Sequence, residues 1–155
     1  MIDDLPAESL LIRLATGADI ATIEELDSFS TSPTRNLRQE IQEYFGSVDP
    51  STHGRTLIFL TEIAGKTAAK AELMVPPTEY TNAIGYVKRV VVHPDYRRHG
   101  LAWSLMEHII TYARTELGLN ALDLHVWEGN APAIKLYETL GFELQHRELY
   151  LRLRL

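Results

Sequence analysis

Arg97, Arg98, His99 and Gly100 stand between a β-rich run and a long amphipathic stretch, and residues of these types in that order can bind an anion. The run Tyr86-Val87-Lys88-Arg89-Val90-Val91-Val92-His93-Pro94 reads as a strand and the stretch from Leu101 as a helix, so the first free amides of that helix face the turn. Backbone amides of Arg98, His99, Gly100, Leu101 and Ala102 can wrap an anion as a concave nest, with Gly100 permitting close approach and the arginine charges adding attraction. The plainer alternative is a solvated loop with a glycine of convenience. Other anion and catalytic sites lack their patterns here. Neither G-x-x-x-x-G-K-[ST] nor G-x-G-x-x-G occurs, which disfavours nucleotide hydrolysis and nicotinamide chemistry. There is no G-x-S-x-G turn. His53, His93, His99, His108 and His146 are scattered without ligand-like spacing, so no metal is expected. The chain has no cysteine, which excludes disulfides, thiolate zinc and an acyl-cysteine intermediate.

The turn Arg97 to Ala102 has the spacing R-x-x-G-x-A, and a later segment, Asn130-Ala131-Pro132-Ala133-Ile134-Lys135-Leu136-Tyr137-Glu138-Thr139-Leu140-Gly141-Phe142, reads N-x-x-A-x-x-x-Y-x-x-x-G-F. In this order and separation the two resemble the acyl-CoA-binding turn, usually Q/R-x-x-G-x-G/A, and the following segment of the GNAT superfamily of N-acetyltransferases. The sequence-specific part covers residues 86–142. The resemblance implies acetyl-CoA as cosubstrate and an amine as acceptor. It puts the pyrophosphate at Arg97, Arg98, His99, Gly100, Leu101, Ala102 and Trp103, and the pantetheine arm along the backbone of Val90, Val91 and Val92. Asn130 is the side chain it brings to that arm.

Acyl transfer to an amine has two proton problems: an ammonium with pKa of about 10.4 must lose a proton before it attacks, and the departing thiolate must gain one. The resemblance gives the acid role to Tyr137. Periodicity alone reads Ala133, Leu136, Tyr137 and Leu140 as one packed helical stripe, and Asn130 before Pro132 as a helix N-cap. For the base, the branch that acetylates protein N-termini commonly carries a Glu five residues before the motif Asn, where this chain has His125. Other branches carry a Glu in the central strand, and residues 84–92 hold no acid. His125, with an ordinary pKa of about 6.5, suits proton transfer near neutrality; it also reads as a surface-facing strand histidine. Glu72, Glu79, Tyr86 or an ordered water are the alternatives. If no base operates, the chain is an acyl-CoA-binding or regulatory module without chemistry, a second and different function.

The elements that must position these residues follow from periodicity. Residues 9–15 read as a strand, 19–29 as a helix with Ile20, Ile23 and Leu26 on one side, and Ser32-Pro33 as the start of a second helix burying Leu37, Ile41, Tyr44 and Phe45 up to Gly46. Gly46 to Arg55 is loop. Thr56 to Ile63 and Thr67 to Val75 form a hairpin about Ala64-Gly65-Lys66, and 84–92 is the next strand, ended by His93-Pro94. A helix over 100–117, stopped by Gly118, leads to a strand over 121–127, parallel to 84–92. A last helix spans 131–140, and Phe142 to Leu155, with Leu149, Leu151, Leu153 and Leu155 in strict alternation, closes the sheet. The order β-α-α-β-β-β-α-β-α-β-β, an α/β (α+β) fold with a mixed, mostly antiparallel central sheet flanked by helices, is what the resemblance implies for a single domain over 1–155.

Composition sets the outer bounds. At 155 residues, 45% hydrophobic and 23% charged, the chain fits one globular domain. Its net charge of −6 is uneven: residues 1–87 hold 6 basic and 13 acidic side chains, residues 88–155 hold 9 and 8. Lys88, Arg89, Arg97 and Arg98 gather beside the turn and no basic stripe appears elsewhere, so no nucleic-acid partner is expected, and the acidic first half leans toward a cationic acceptor. No apolar run approaches the roughly 20 residues of a spanning helix. The start Met1-Ile2-Asp3-Asp4-Leu5-Pro6 is acidic. A cytoplasmic enzyme with no membrane partner is the expectation, and dimerisation through the terminal strand is left open.

Overall fold

Strands β1 (Leu10–Leu14), β2 (Arg55–Ile63), β3 (Lys66–Val75), β4 (Ile84–Val92) and β5 (Ala121–Asp123) lie side by side in chain order. The first four are antiparallel neighbours and β5 runs parallel to β4, giving the mixed, mostly antiparallel α/β sheet expected. The computed structural model describes residues 10–77 and 82–155. It divides into one unit ending at His125 and another over residues 126–155. Among the described residues no helix is long and apolar enough to cross a membrane. Glu79, one of the alternative bases, lies outside the described residues.

The β2–β3 hairpin is tighter than its composition suggests. Ile63 pairs with Lys66, so Ala64 (φ 49°) and Gly65 (φ 79°) alone make the link. Two successive left-handed residues are what a type I′ turn requires, and its twist matches that of the strands. The return from β4 to β5 passes through helix α3 (Leu101–Thr115), stopped at Gly118 with φ 61°. This crossover makes β4 and β5 parallel.

The two faces of the sheet are covered differently. On one, α3 buries Leu101, Leu105, Met106, Ile109 and Ala113, while the Phe59 ring meets His108 and Tyr112 edge-on at 5.8 and 5.2 Å. On the other, Ile58 and Leu60 pack with Ile20 and Ile23 of helix α1 (Ile20–Asp27), with Leu37, and with the partly buried Ala15, Tyr44 and Phe45. Residues 57 and 59 alternate with 58 and 60, so one strand serves both layers.

The second predicted helix is mostly absent: only α2 (Ile41–Tyr44) forms, and residues 31–40 run as loop and turns. Tertiary pairing outweighs the helical pattern there. Arg35 is drawn to Asp27 and Glu72, and the Pro33 carbonyl accepts from Arg89 Nη2 at 2.8 Å. Leu37 is still buried.

In the second unit, helix α4 (Ala131–Thr139) ends in paired capping bonds, Gly141 N–H to the Glu138 carbonyl and Phe142 N–H to the Tyr137 carbonyl, with Gly141 at φ 97°. The predicted closing strands are not formed. No strand follows α4 among the described residues, Leu149, Leu151, Leu153 and Leu155 are exposed, and β5 stops at Asp123 instead of residue 127. Alternation fixes which side chains share a face; it supplies no neighbouring backbone, and within this unit α4 is the one regular element.

Candidate active site

β4 is regular up to Lys88 and then bulges. Glu72 pairs with Lys88 and Lys70 with Val91, so Ala71 alone stands opposite both Arg89 and Val90. Arg89 takes φ 52°, a left-handed conformation that a residue with a long side chain rarely adopts. One extra residue also reverses the alternation beyond it. A strict period of two puts Val91 on the face of Val87; the bulge instead sets Val91, which is buried, opposite Lys70.

The turn after β4 is built in short steps. His93 Nδ1 accepts from the Asp95 amide at 3.1 Å and opens a 3-10 turn over Pro94–Tyr96. Arg97 Nε donates to the Val92 carbonyl at 3.2 Å, tying the turn to the strand end. Arg98 (φ 68°) and Gly100 (φ 71°) are both left-handed, on either side of His99, and α3 starts at Leu101 with no side-chain cap on its first turn. Leu101 turns its side chain into the core, while Trp103 is exposed on the same turn. The donor set therefore consists of the amides of Leu101, Ala102 and Trp103 at the positive end of a long helix, approached through a kinked basic turn, and it fits a diphosphate.

His125 and Tyr86 meet. The Tyr86 hydroxyl and His125 Nδ1 are 2.6 Å apart, and their rings are tilted at a centroid distance of 5.5 Å. Tyr86 is in register with Met74 on β3 and Asp123 on β5, and Lys88 follows two residues on, the same-face spacing of a strand. The pair is able to pass or hold a proton at Nδ1, with the other ring nitrogen in the complementary state.

Beside them lies a buried ionic cluster that hydrophobic patterning does not announce. Glu72 and Lys70 are 0% exposed. Arg35 Nη1 donates to Glu72 Oε1 at 2.6 Å and Nη2 to Oε2; Lys70 Nζ lies 2.8 Å from Glu72 Oε2 and 2.8 Å from Asp27 Oδ1. Arg35 also reaches Asp27, and Tyr44 lies over its guanidinium at 4.6 Å. Burial by itself pushes the Glu72 carboxyl up, but the Arg35 hydrogen bonds and the Lys70 and Arg35 charges win and hold it below the usual range. Glu72 is thus a saturated, ionised partner, unsuited to take a proton from a substrate. Lys88, in register with Glu72, is pulled below the ordinary lysine value by burial, with the Glu72 charge opposing. The sequence does carry a signal for this cluster: Lys70 and Glu72 sit two apart among Ala68, Ala69, Ala71, Leu73, Met74 and Val75 of β3, so they share one face.

In the second unit, Asn130 caps α4, its Oδ1 accepting from the Ala133 amide at 3.3 Å, so the N-cap role is realised. Tyr137 packs edge-on against Phe142 at 5.8 Å between centroids, and burial pushes its phenol above the ordinary value.

The chain is 41% identical over 88 residues to the [ribosomal protein bS18]-alanine N-acetyltransferase of Escherichia coli K12, a match covering 57% of this chain and 55% of that one. It is 32% identical over 100 residues to the glucosamine 6-phosphate N-acetyltransferase of Trypanosoma brucei brucei, covering 63% and 65%. The chain thus spans about half to two thirds of the length of these relatives. Its fold is similar to that of an aminoglycoside acetyltransferase from an uncultured soil metagenomic sample, with a TM-score of 0.73 at 15% identity over 96% of this chain and 99% of that one. With residues 18–142 matching the profile of the Acetyltransferase (GNAT) family, the chain belongs to that family.

Proposed function

We propose that residues 1–155 work as one N-acetyltransferase domain that moves the acetyl group of acetyl-CoA directly to an amine of a small molecule, peptide or protein. The observation that carries this reading is the path from the bulged backbone at Val90, through the Arg97 tie, to the uncapped first turn of α3. Strand groups of Val90, Val91 and Val92 serve the pantetheine arm. Amides and side chains from Arg97 to Trp103 serve the diphosphate. Asn130 caps its helix and touches the arm. The relatives' names support the reaction class: one acts on a protein alanine and another on an amino sugar phosphate.

In the proposed step, the Tyr86–His125 pair takes the ammonium proton and the free amine attacks the thioester carbonyl carbon. The carbon–nitrogen bond forms, a β4 backbone amide receives the developing oxyanion, and the carbon–sulfur bond breaks. Tyr137 protonates the departing thiolate, and the second proton, shed by the newly acylated nitrogen, restores the phenol, leaving an amide and free CoA. No metal, nucleic acid or membrane surface enters the scheme, which belongs to a cytoplasmic enzyme. A homodimer using the exposed terminal leucines completes the reading; a monomer by light scattering at high concentration would remove that part.

Calorimetric titration with acetyl-CoA, with ATP as comparator, tests the cofactor. Saturable micromolar binding of acetyl-CoA alone supports the proposal, and no binding overturns it. Binding without turnover over a broad amine panel at alkaline pH moves the chain to a non-catalytic acyl-CoA-binding module, a reading favoured by the absence of any free acid on β4. For the base, His125→Ala lowers kcat/KM by about 100-fold at pH 7. The deficit narrows as pH rises toward the acceptor's own pKa of about 10.4, because solution then supplies the free amine. Equal rates for variant and wild type at pH 7 exclude the role.

A further inference from the structure

Lys70 is an ammonium with three donors and three acceptors, entirely out of solvent. Two acceptors are the carboxylates of Glu72 and Asp27, at 2.8 Å each, themselves held together by Arg35. The third is the backbone carbonyl of Arg89, at 3.2 Å. That carbonyl belongs to the bulge, where Ala71 alone faces two residues and the regular ladder gives the Arg89–Val90 peptide no one-to-one partner. A peptide unit is rigid and planar, with its C=O and N–H directed oppositely. Whatever fixes the Arg89 carbonyl therefore also fixes the Val90 N–H.

We infer that Lys70 is a positioning residue: anchored by Asp27 and Glu72, it holds the Arg89 carbonyl and thereby aims the Val90 amide at the thioester carbonyl of acetyl-CoA. The inference rests on the reading of β4 as the cofactor strand. The chemistry explains why a charge sits here at all. Flanked by Ala69 and Ala71 and in line with the apolar Ile58 and Leu60, position 70 lies in a largely apolar strand pair where desolvating an ammonium is costly, a cost that Glu72 and Asp27 offset. An apolar side chain has no donor for Arg89, and the left-handed bulge residue would lose its tether. The anchor also links the loop over residues 31–40 to the same strand, since Arg35 grips Glu72 and Arg89 Nη2 donates to the Pro33 carbonyl. Loop and oxyanion donor thus share one rigid cluster.

The test compares wild type, Lys70→Met and Lys70→Arg in the full chain, measuring kcat, KM for acetyl-CoA and calorimetric Kd for free CoA. For Lys70→Met, kcat should fall on the order of 100-fold, the loss typical of removing one oxyanion donor, with KM and the CoA Kd within about threefold. Lys70→Arg, which keeps charge and donors, should recover most of that loss. A folded Lys70→Met with kcat within about threefold of wild type, or equal losses in both variants, overturns the inference while leaving the cofactor reading intact. Should Lys70→Met not fold, the wild-type Val90 amide decides: its nitrogen and proton shifts should differ between acetyl-CoA-saturated and CoA-saturated protein, and identical shifts overturn the inference. Failure of wild type to bind acetyl-CoA at all removes the cofactor reading and this inference together.

Discussion

Tyr137→Phe lowers kcat by about 100-fold or more at saturating acetyl-CoA, within the range a positioned general acid contributes. The substitution removes a hydroxyl and keeps the ring that packs against Phe142, so helix α4 and its Gly141 stop should be undisturbed. The affinity for free CoA should accordingly stay within about threefold. Burial raises the Tyr137 phenol above its ordinary pKa of about 10, so the proton-bearing form persists through the neutral and mildly alkaline range. The wild-type kcat should therefore show no alkaline decline from this group below about pH 10. Burst kinetics of thiol release with a disulfide reagent measure the step, and a loss well under tenfold rules the acid role out.

The largest stability effect belongs to Glu72→Ala, which costs about 3–5 kcal/mol because it removes one member of a buried ionic cluster and leaves cations behind. Lys70 and Arg35 keep Asp27, so the protein should still fold, with a urea midpoint well below that of wild type. Glu72→Gln, which keeps one acceptor oxygen, should lose less. The pH dependence has a definite sign. Glu72 is held below the usual carboxylate range in the folded protein, so as pH falls below about 4.3 the unfolded chain takes up its proton first. The Glu72 contribution is fully present above that pH and is lost as pH falls through the folded value. Asp19, lowered chiefly by its hydrogen bonds to Arg13, adds to the same slope. Urea titrations of wild type and Glu72→Ala between pH 3 and 7 should converge toward the acid end. A constant gap would show that the carboxylate charge is not the source of the stability.

The sequence by itself determined the glycine-bearing turn before α3, the strands on either side of the β2–β3 hairpin, the long helix α3, the parallel return to β5, the Asn130 cap and the Gly141 stop. Each is a local matter: a period of two or 3.6, a left-handed glycine, a capping oxygen reaching a nearby amide. Family membership was equally legible, because two motifs in one order are also a local signal. Only the tertiary structure decided what lies across space. It joined Tyr86 to His125, locked Glu72 between Arg35 and Lys70 and so took it out of contention as a base, and unwound most of the second helix to deliver Arg35 and Pro33 to their partners. The bulge at Arg89 also escaped the sequence, because Val90-Val91-Val92 reads the same in either register, and a one-residue slip shows only against the neighbouring strand, whose Lys70 donates to the Arg89 carbonyl. The terminal leucines show the same limit from the other side: their alternation specifies a strand's two faces, but pairing needs a second backbone that no local pattern can supply.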